Sequence, residues 1–252
     1  MTASLQEHTP LHSRAAERIL VALDTPELGQ AKTITKALSG YVGGVKIGLE
    51  FFNVNGPQGV RDVTINQLPF FLDLKFHDIP NTVAGAIRAV VPLSPLMLNV
   101  HGLGGPDMLR AAGETANKAA QEAGVTRPLV LAVTVLTSFD ENDIAATGQG
   151  HSVEEQAVRL ARLAQDYNLD GVVCSPLAIA SIRNACGPDF TLVVPGIRLA
   201  GAAVHDQKAV ATPAQAIAAG ANYLVIGRAI TGAADPLTAA RDIAAEIESS
   251  SA

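Results

Sequence analysis

Phe70-Phe71-Leu72-Asp73-Leu74-Lys75-Phe76-His77-Asp78-Ile79-Pro80 begins as an apolar strand and ends in three charges of alternating sign, Asp73, Lys75 and Asp78. Residues two apart in a strand share a face, so Phe71, Asp73 and Lys75 point one way and Phe70, Leu72 and Leu74 the other. An acid and an ammonium side by side at the end of such a strand cost desolvation energy that a stable core does not require. Taken alone, the segment reads equally well as a strand emerging into solvent with a weak surface ion pair.

Outward from this stretch, similar apolar, β-branched runs recur at Ile19–Leu23, Val42–Ile47, Leu96–Val100, Leu129–Leu136, Gly171–Cys174, Thr191–Val194 and Tyr223–Ile226, with Phe70–Leu74 third in the series. Each is nearly continuous in apolar character, as parallel strands covered on both faces are. Helical signals lie between them. Thr25-Pro26 offers an N-cap and a proline at the first helical position, with Gly40 as a stop. Ser152 with Glu155, and Thr212 with Gln215, have the spacing of capping boxes. Ala157, Leu160, Ala161 and Ala164 form a stripe at helical spacing. Ser175-Pro176 and Asp235-Pro236 open two further helices. Eight strands alternating with helices predict a single-domain (β/α)8 TIM barrel over residues 17–248, after a loose tail at residues 1–16. An open doubly wound sheet is the alternative. It lacks its glycine fingerprint, since the chain after the first strand reads Leu23-Asp24-Thr25-Pro26.

Composition bounds the function. A hydrophobic fraction of 48% against 17% charged residues describes a large buried core. The net charge is −6 with only 18 Lys and Arg, which argues against a nucleic-acid partner. An anionic ligand must therefore be attracted by a few placed cations. Cys174 and Cys186 make neither a disulfide framework nor a metal spacing. Cys174 is read as a buried strand residue. Reduced thiols, and an opening segment without the apolar run of a secretory leader, point to the cytoplasm. His8 and His12 stand four apart in that tail and are not read as a metal site. No apolar run approaches the roughly 18 residues of a membrane span.

In a barrel of this kind the chemistry sits at the C-terminal ends of the strands. Those positions hold Asp24, Lys46, Asp73, Lys75, Asp78, Asn99, His101, Thr137, Arg198 and Arg228. As a group on one rim they are more informative than any member. The seventh and eighth loops of such barrels commonly bind phosphate. There Gly227 permits close approach of the backbone and Arg228 supplies a bidentate donor. Arg198 opens a Gly- and Ala-rich loop running to Ala211 and carrying Gln207, which reads as a lid that closes on a phosphate. Gly102-Leu103-Gly104-Gly105 is a weaker competitor and reads as a turn into the next helix. A lysine flanked by carboxylates keeps its proton, whereas a Schiff-base lysine needs a depressed pKa. Lys75 is thus a proton donor or electrostatic partner.

Asp73-Leu74-Lys75-Phe76-His77-Asp78-Ile79-Pro80-Asn81-Thr82 resembles the DxKxxDIPxT signature of the orotidine 5′-phosphate decarboxylase family. Asp24, Lys46 in Val45–Gly48, Thr137, Arg198 in Pro195–Arg198, Asp206-Gln207 and Arg228 in Ile226–Arg228 follow that family's pattern in order. The similarity runs over residues 17–248 and is greatest to the bacterial type with a long seventh loop. It implies decarboxylation of orotidine 5′-monophosphate to UMP and CO2, the last step of UMP biosynthesis, with no cofactor and no metal. Lys46, Asp73, Lys75 and Asp78 would form an alternating charge network, with Lys75 delivering a proton to C6. Asp78 and Thr82 would reach the partner's site in a homodimer, and Ile79 beside them would contact substrate. Asp24 and Thr82 would meet ribose hydroxyls, and Thr137 the pyrimidine. Gln207, Gly227 and Arg228 would grip the phosphate, with Arg198 at the mouth of the lid.

Two rivals remain. A metal-dependent sugar-phosphate decarboxylase or aldolase shares the Asp-x-Lys-x-x-Asp core, but Ile79-Pro80-Asn81-Thr82, Arg198 and Gln207 favour the nucleotide enzyme. A catalytically silent nucleotide-binding barrel is expected to have lost one of the four charges, and all four are present.

Overall fold

The computed structural model describes residues 14–64, 68–198 and 211–250. Its strands are β1 (Ile19–Leu23), β2 (Gly44–Gly48), β3 (Phe70–Phe76), β4 (Met97–His101), β5 (Leu129–Val133), β6 (Gly171–Val173), β7 (Thr191–Val194) and β8 (Tyr223–Ile226). They pair in parallel in sequence order, and β8 closes on β1 through Leu20 and Val225. The chain is a single-domain (β/α)8 barrel.

The helices are α1 (Leu28–Leu38), α2 (Leu49–Val63), α3 (Pro80–Val90), α4 (Gly105–Ala123), α5 (Glu141–Ala146), α6 (Val153–Asp166), α7 (Ile179–Cys186), α8 (Pro213–Ala218), α9 (Arg228–Thr231) and α10 (Pro236–Ser249). The predicted capping boxes form: Ser152 accepts from the Glu155 amide and Thr212 from the Gln215 amide. Each cap is worth about 1 kcal/mol. Asp235 caps α10 through the amides of Leu237 and Thr238. Ser175 caps a 3-10 turn that runs into α7. Thr25 does not cap α1. The helix starts at Leu28 with Glu27 as its N-cap, and the Thr25 hydroxyl instead donates to Gln30 and accepts from the Glu27 amide. A two-residue offset of this kind is what local capping chemistry leaves open. α2 is broken at Gly56, whose φ of 60° precedes Pro57.

The alternation of β3 sorts its side chains as its spacing predicts. Phe70, Leu72 and Leu74 pack outward in the large layer between sheet and helices. Phe71 joins Leu20, Ala22, Met97, Leu131, Val133, Val173, Val193 and Val225 inside the barrel. Ala157, Leu160, Ala161 and Ala164 of α6 are all buried, the three alanines within the outer layer. The inner cluster fills the barrel's middle.

Three strand boundaries move by two or more residues: the start of β2, the end of β5, and the end of β3, which runs to Phe76 rather than Leu74. β2 begins at Gly44 rather than Val42. At Gly43 an added Cβ would collide with the Glu17 carbonyl, so the chain enters the barrel through a contact that excludes side chains. β5 stops at Val133 rather than Leu136. The Thr134 hydroxyl donates to the Val173 carbonyl, and the chain turns out to leave Leu136 at the surface. Ala15 and Ala16 are buried beneath the barrel, in and before a 3-10 turn at Ala16–Arg18. Among the described residues no helix is long and apolar enough to cross a membrane.

Candidate active site at the C-terminal rim

A cavity of about 260 Å³ opens at the C-terminal ends of the strands. Its floor is apolar, formed by Ala22, Phe71, Val133, Val173 and Val225. Asp24, Lys46, Asp73 and Lys75 line one side, and Thr137, Arg198, Gly227 and Arg228 complete it. Eight of the predicted site residues therefore meet around one space.

The charges form an ordered row. Lys75 Nζ lies 2.7 Å from Asp73 Oδ1, Lys46 Nζ 3.6 Å from Asp73 Oδ2, and Lys46 Nζ 3.0 Å from Asp24 Oδ1. Asp73 is 8% exposed. Burial alone pushes its carboxyl pKa up, but Lys46 and Lys75, with hydrogen bonds from Lys75 and Asn99, more than reverse this and hold it below the usual carboxylate range. The carboxylate stays ionised between two ammonium groups. Gly48 contributes by lacking a side chain: a Cβ there would stand 3.0 Å from Lys46 Nζ.

Lys75 reaches the cavity through an irregularity that the alternating pattern does not announce. β3 pairs with β4 at Leu72–Leu98 and again at Phe76–Val100, so Asp73, Leu74 and Lys75 stand opposite Asn99 alone. This is a bulge, a device that re-aims a side chain. Lys75 has φ of 50°, a left-handed conformation costing a non-glycine residue about 1–2 kcal/mol. Such strain persists where surrounding structure enforces it. Here the Lys75 amide donates to Asn99 Oδ1 at 2.8 Å, and Asn99 Nδ2 donates to Asp73 Oδ1 at 2.7 Å.

Asp78, Ile79 and Thr82 do not line the cavity. Asp78 accepts the Ile79 amide at 2.6 Å and makes no ion pair among the described residues. Ile79 is 68% exposed, and Thr82 sits exposed in the first turn of α3. Gln207 lies outside the described residues. Gly102–Gly104 form a 3-10 turn leading to α4 and border a separate flank groove of about 1000 Å³, so this glycine run does not serve the cavity.

Two rim features carried no role in the sequence. Asn99 is fully buried, and its only sequence signal was a carboxamide on the same strand face as His101 in an apolar run. His101 stacks on His77 with ring centroids 5.1 Å apart and accepts the Leu103 amide. Burial, then His77 and Lys75, lower its pKa to about 4, so the ring is neutral at neutral pH. Cys174 borders the cavity, but complete burial raises its thiol pKa to about 12 and leaves it no nucleophile. Among the described residues no three His, Cys, Asp or Glu side chains are placed to hold a metal ion.

Relatives of known name match most of the chain. Residues 17–243 match the model of the Orotidine 5'-phosphate decarboxylase / HUMPS family. The chain is 52% identical over 239 residues to the orotidine 5′-phosphate decarboxylase of Rhodospirillum rubrum, covering 94% of this chain and 97% of that one. It is 51% identical to that of Moorella thermoacetica, covering 97% and 96%. The crystal structure of the Lactobacillus acidophilus orotidine 5′-phosphate decarboxylase superposes with a TM-score of 0.79 at 36% identity, over 91% of this chain and 98% of that one. The chain belongs to the orotidine 5′-phosphate decarboxylase / HUMPS family.

Proposed function

We propose that this protein decarboxylates orotidine 5′-monophosphate to UMP and CO2, with Lys75 as the proton donor and no cofactor. The observation that carries the reading is the row Asp24–Lys46–Asp73–Lys75 on one side of a cavity that Arg198 and Arg228 border as well. A nucleotide monophosphate needs these two ends: guanidinium groups for the phosphate and a fixed ammonium for the reacting carbon.

The chemistry follows from charge. When the bond between C6 and the carboxyl carbon breaks, CO2 leaves and an electron pair remains in the plane of the pyrimidine, where the ring delocalises it poorly. A preorganised ammonium stabilises that charge as it develops, at no reorganisation cost. Lys75 then gives its proton to C6, forming the C–H bond of UMP, and recovers a proton from solvent. Asp73 holds the Lys75 ammonium in place at 2.7 Å before the step and repels the substrate carboxylate. Lys46 holds Asp73 from the other side. Thr137, beside the apolar floor, suits the pyrimidine, and Asp24 suits a ribose hydroxyl. Gly227 and Arg228, with Gln207 of the seventh loop, serve the phosphate, and Arg198 stands at the loop's mouth. Binding energy from that remote group drives closure and water exclusion.

In this reading the working unit is a homodimer. Asp78, Ile79 and Thr82 serve the partner's cavity, which accounts for a carboxylate that has no ion pair among the described residues beside an isoleucine exposed to 68%. We place the protein in the cytoplasm, a reading supported by two cysteines that stay unpaired. The metal-dependent sugar-phosphate alternative is disfavoured because Asp24 and Asp73, the carboxylates at the cavity, are both engaged by Lys46. An ultraviolet assay of orotidine 5′-monophosphate consumption in excess EDTA tests the proposal. Full activity is expected, and loss of turnover on chelation would transfer the site to metal chemistry.

A further inference from the structure

We propose that Asn99 is the positioning residue of the reaction: a buried carboxamide that locks the Lys75 backbone and the Asp73 carboxylate into one rigid unit. The inference rests on the assignment of Lys75 and Asp73 above and adds a residue to it.

Donor and acceptor capacity selects the residue type. A backbone N–H only donates, and an ionised carboxylate only accepts. The group between the Lys75 amide and Asp73 must therefore accept on one side and donate on the other, within the reach of a short side chain. Asn99 meets that demand, and the two bonds at 2.8 and 2.7 Å fix which way its amide points. Aspartate there would present oxygen to both partners, and an aliphatic residue would satisfy neither. Water does not reach the site, because Asn99 is 0% exposed.

Its position explains why the unit is needed. Three residues of β3 stand opposite Asn99 alone, so the ladder between β3 and β4 is interrupted where the chemistry lies. The carboxamide restores the missing bond to the Lys75 amide and holds Lys75 at φ of 50°. The same group donates to the Asp73 oxygen that Lys75 Nζ also touches. One side chain thus sets both the origin of the lysine and the orientation of its counter-ion. Displacement of a reacting group by about 1 Å can cost about 100-fold in rate.

Asn99→Asp and Asn99→Ala are the tests, assayed for turnover of orotidine 5′-monophosphate, for UMP affinity and for thermal midpoint. We expect kcat to fall about 100-fold in both folded variants, with UMP affinity within about 3-fold of native, because the phosphate contacts are untouched. The pH profile separates positioning from general structural damage. In Asn99→Asp two carboxylates meet, and such a pair retains one proton to a raised pH. The introduced carboxyl group, once protonated, both donates and accepts, so activity should recover as pH falls through an ionisation that the native enzyme lacks. Should Asn99→Asp fail to fold, Asn99→Ala alone decides through its kcat and UMP affinity. Native-like kcat in either folded variant overturns the proposal. So does a fall in kcat matched by an equal loss of UMP affinity, or an Asn99→Asp profile parallel to native. If the native protein itself leaves orotidine 5′-monophosphate unchanged, the functional reading fails and not this one alone.

Discussion

At the N-terminal end of the strands, Arg183 donates to the carbonyls of Gly187, Pro188, Phe190 and Gly220 and to Asn222 Oδ1, at 2.6 to 3.0 Å. Asp170 there accepts two bonds from Arg127 and one from the Val130 amide. At the C-terminal end, Lys46, Asp73 and Lys75 bond to one another and border an open cavity. Both ends carry partly buried charge, yet the N-terminal charges bond to backbone groups and across the Arg127–Asp170 ion pair, while the C-terminal ones bond to one another at the edge of a cavity. Conformation does not separate the two ends: Lys75 is left-handed at the C-terminal end, and Ser94 and Asn168 are left-handed just before β4 and β6. What a charge bonds to, more than how deeply it lies, tells its role.

The largest test of that contrast is Lys75→Ala. We expect kcat to fall by about 1000-fold or more, the combined scale of proton transfer and electrostatic stabilisation, with UMP binding still measurable by calorimetry. Native-like turnover would remove Lys75 from the mechanism. Mixing follows. Lys75→Ala and Asp78→Ala subunits, each inactive alone, should on refolding together regain about a quarter of native activity. About half of randomly formed dimers are hybrids, each with one intact site. No recovery on mixing would put Asp78 in its own chain's site or outside the chemistry.

At the opposite end, Asp170→Asn should lower unfolding free energy in urea by about 1–3 kcal/mol, as it leaves Arg127 without its charge partner. Its kcat per folded molecule should stay within about 2-fold of native. A variant that loses turnover without losing stability would erase the distinction between the two ends.

The smallest effect is a pH dependence belonging to the C-terminal rim. His101 has a folded-state pKa of about 4 against an ordinary 6.5. Between those values the unfolded chain holds more protons than the native one, so stability rises with pH and is lost as pH falls from 6.5 towards 4. Replacing His101 with Gln should flatten that part of a urea-midpoint profile. An unchanged slope would assign it to other groups.

Much of this molecule follows from local rules. Continuous apolar runs reported parallel strands covered on both faces, and Ser152, Thr212 and Asp235 announced their helices because capping is a bond within a few residues. Strand alternation sent Phe71 and Asp73 inward and Leu72 outward. The rule that barrel chemistry gathers at strand C-termini selected Lys46, Asp73, Thr137, Arg198, Gly227 and Arg228, all of which border the cavity. Thr25 was misread as a cap because Ser, Thr, Asn and Asp side chains have several local partners, and packing chooses among them.

Sequence alone was therefore enough for the order of the elements, the face each residue presents and the set of charges on the rim, since all of these depend on neighbours within a few positions. The remainder waited on the assembled barrel. The bulge in β3 exists only relative to the register of β4. The left-handed turn at Lys75 is held by Asn99, 24 positions away. The pairing of Lys46 with both Asp24 and Asp73 requires three strands side by side. Each of these is a contact between segments remote in sequence, whose geometry is fixed only when the barrel closes.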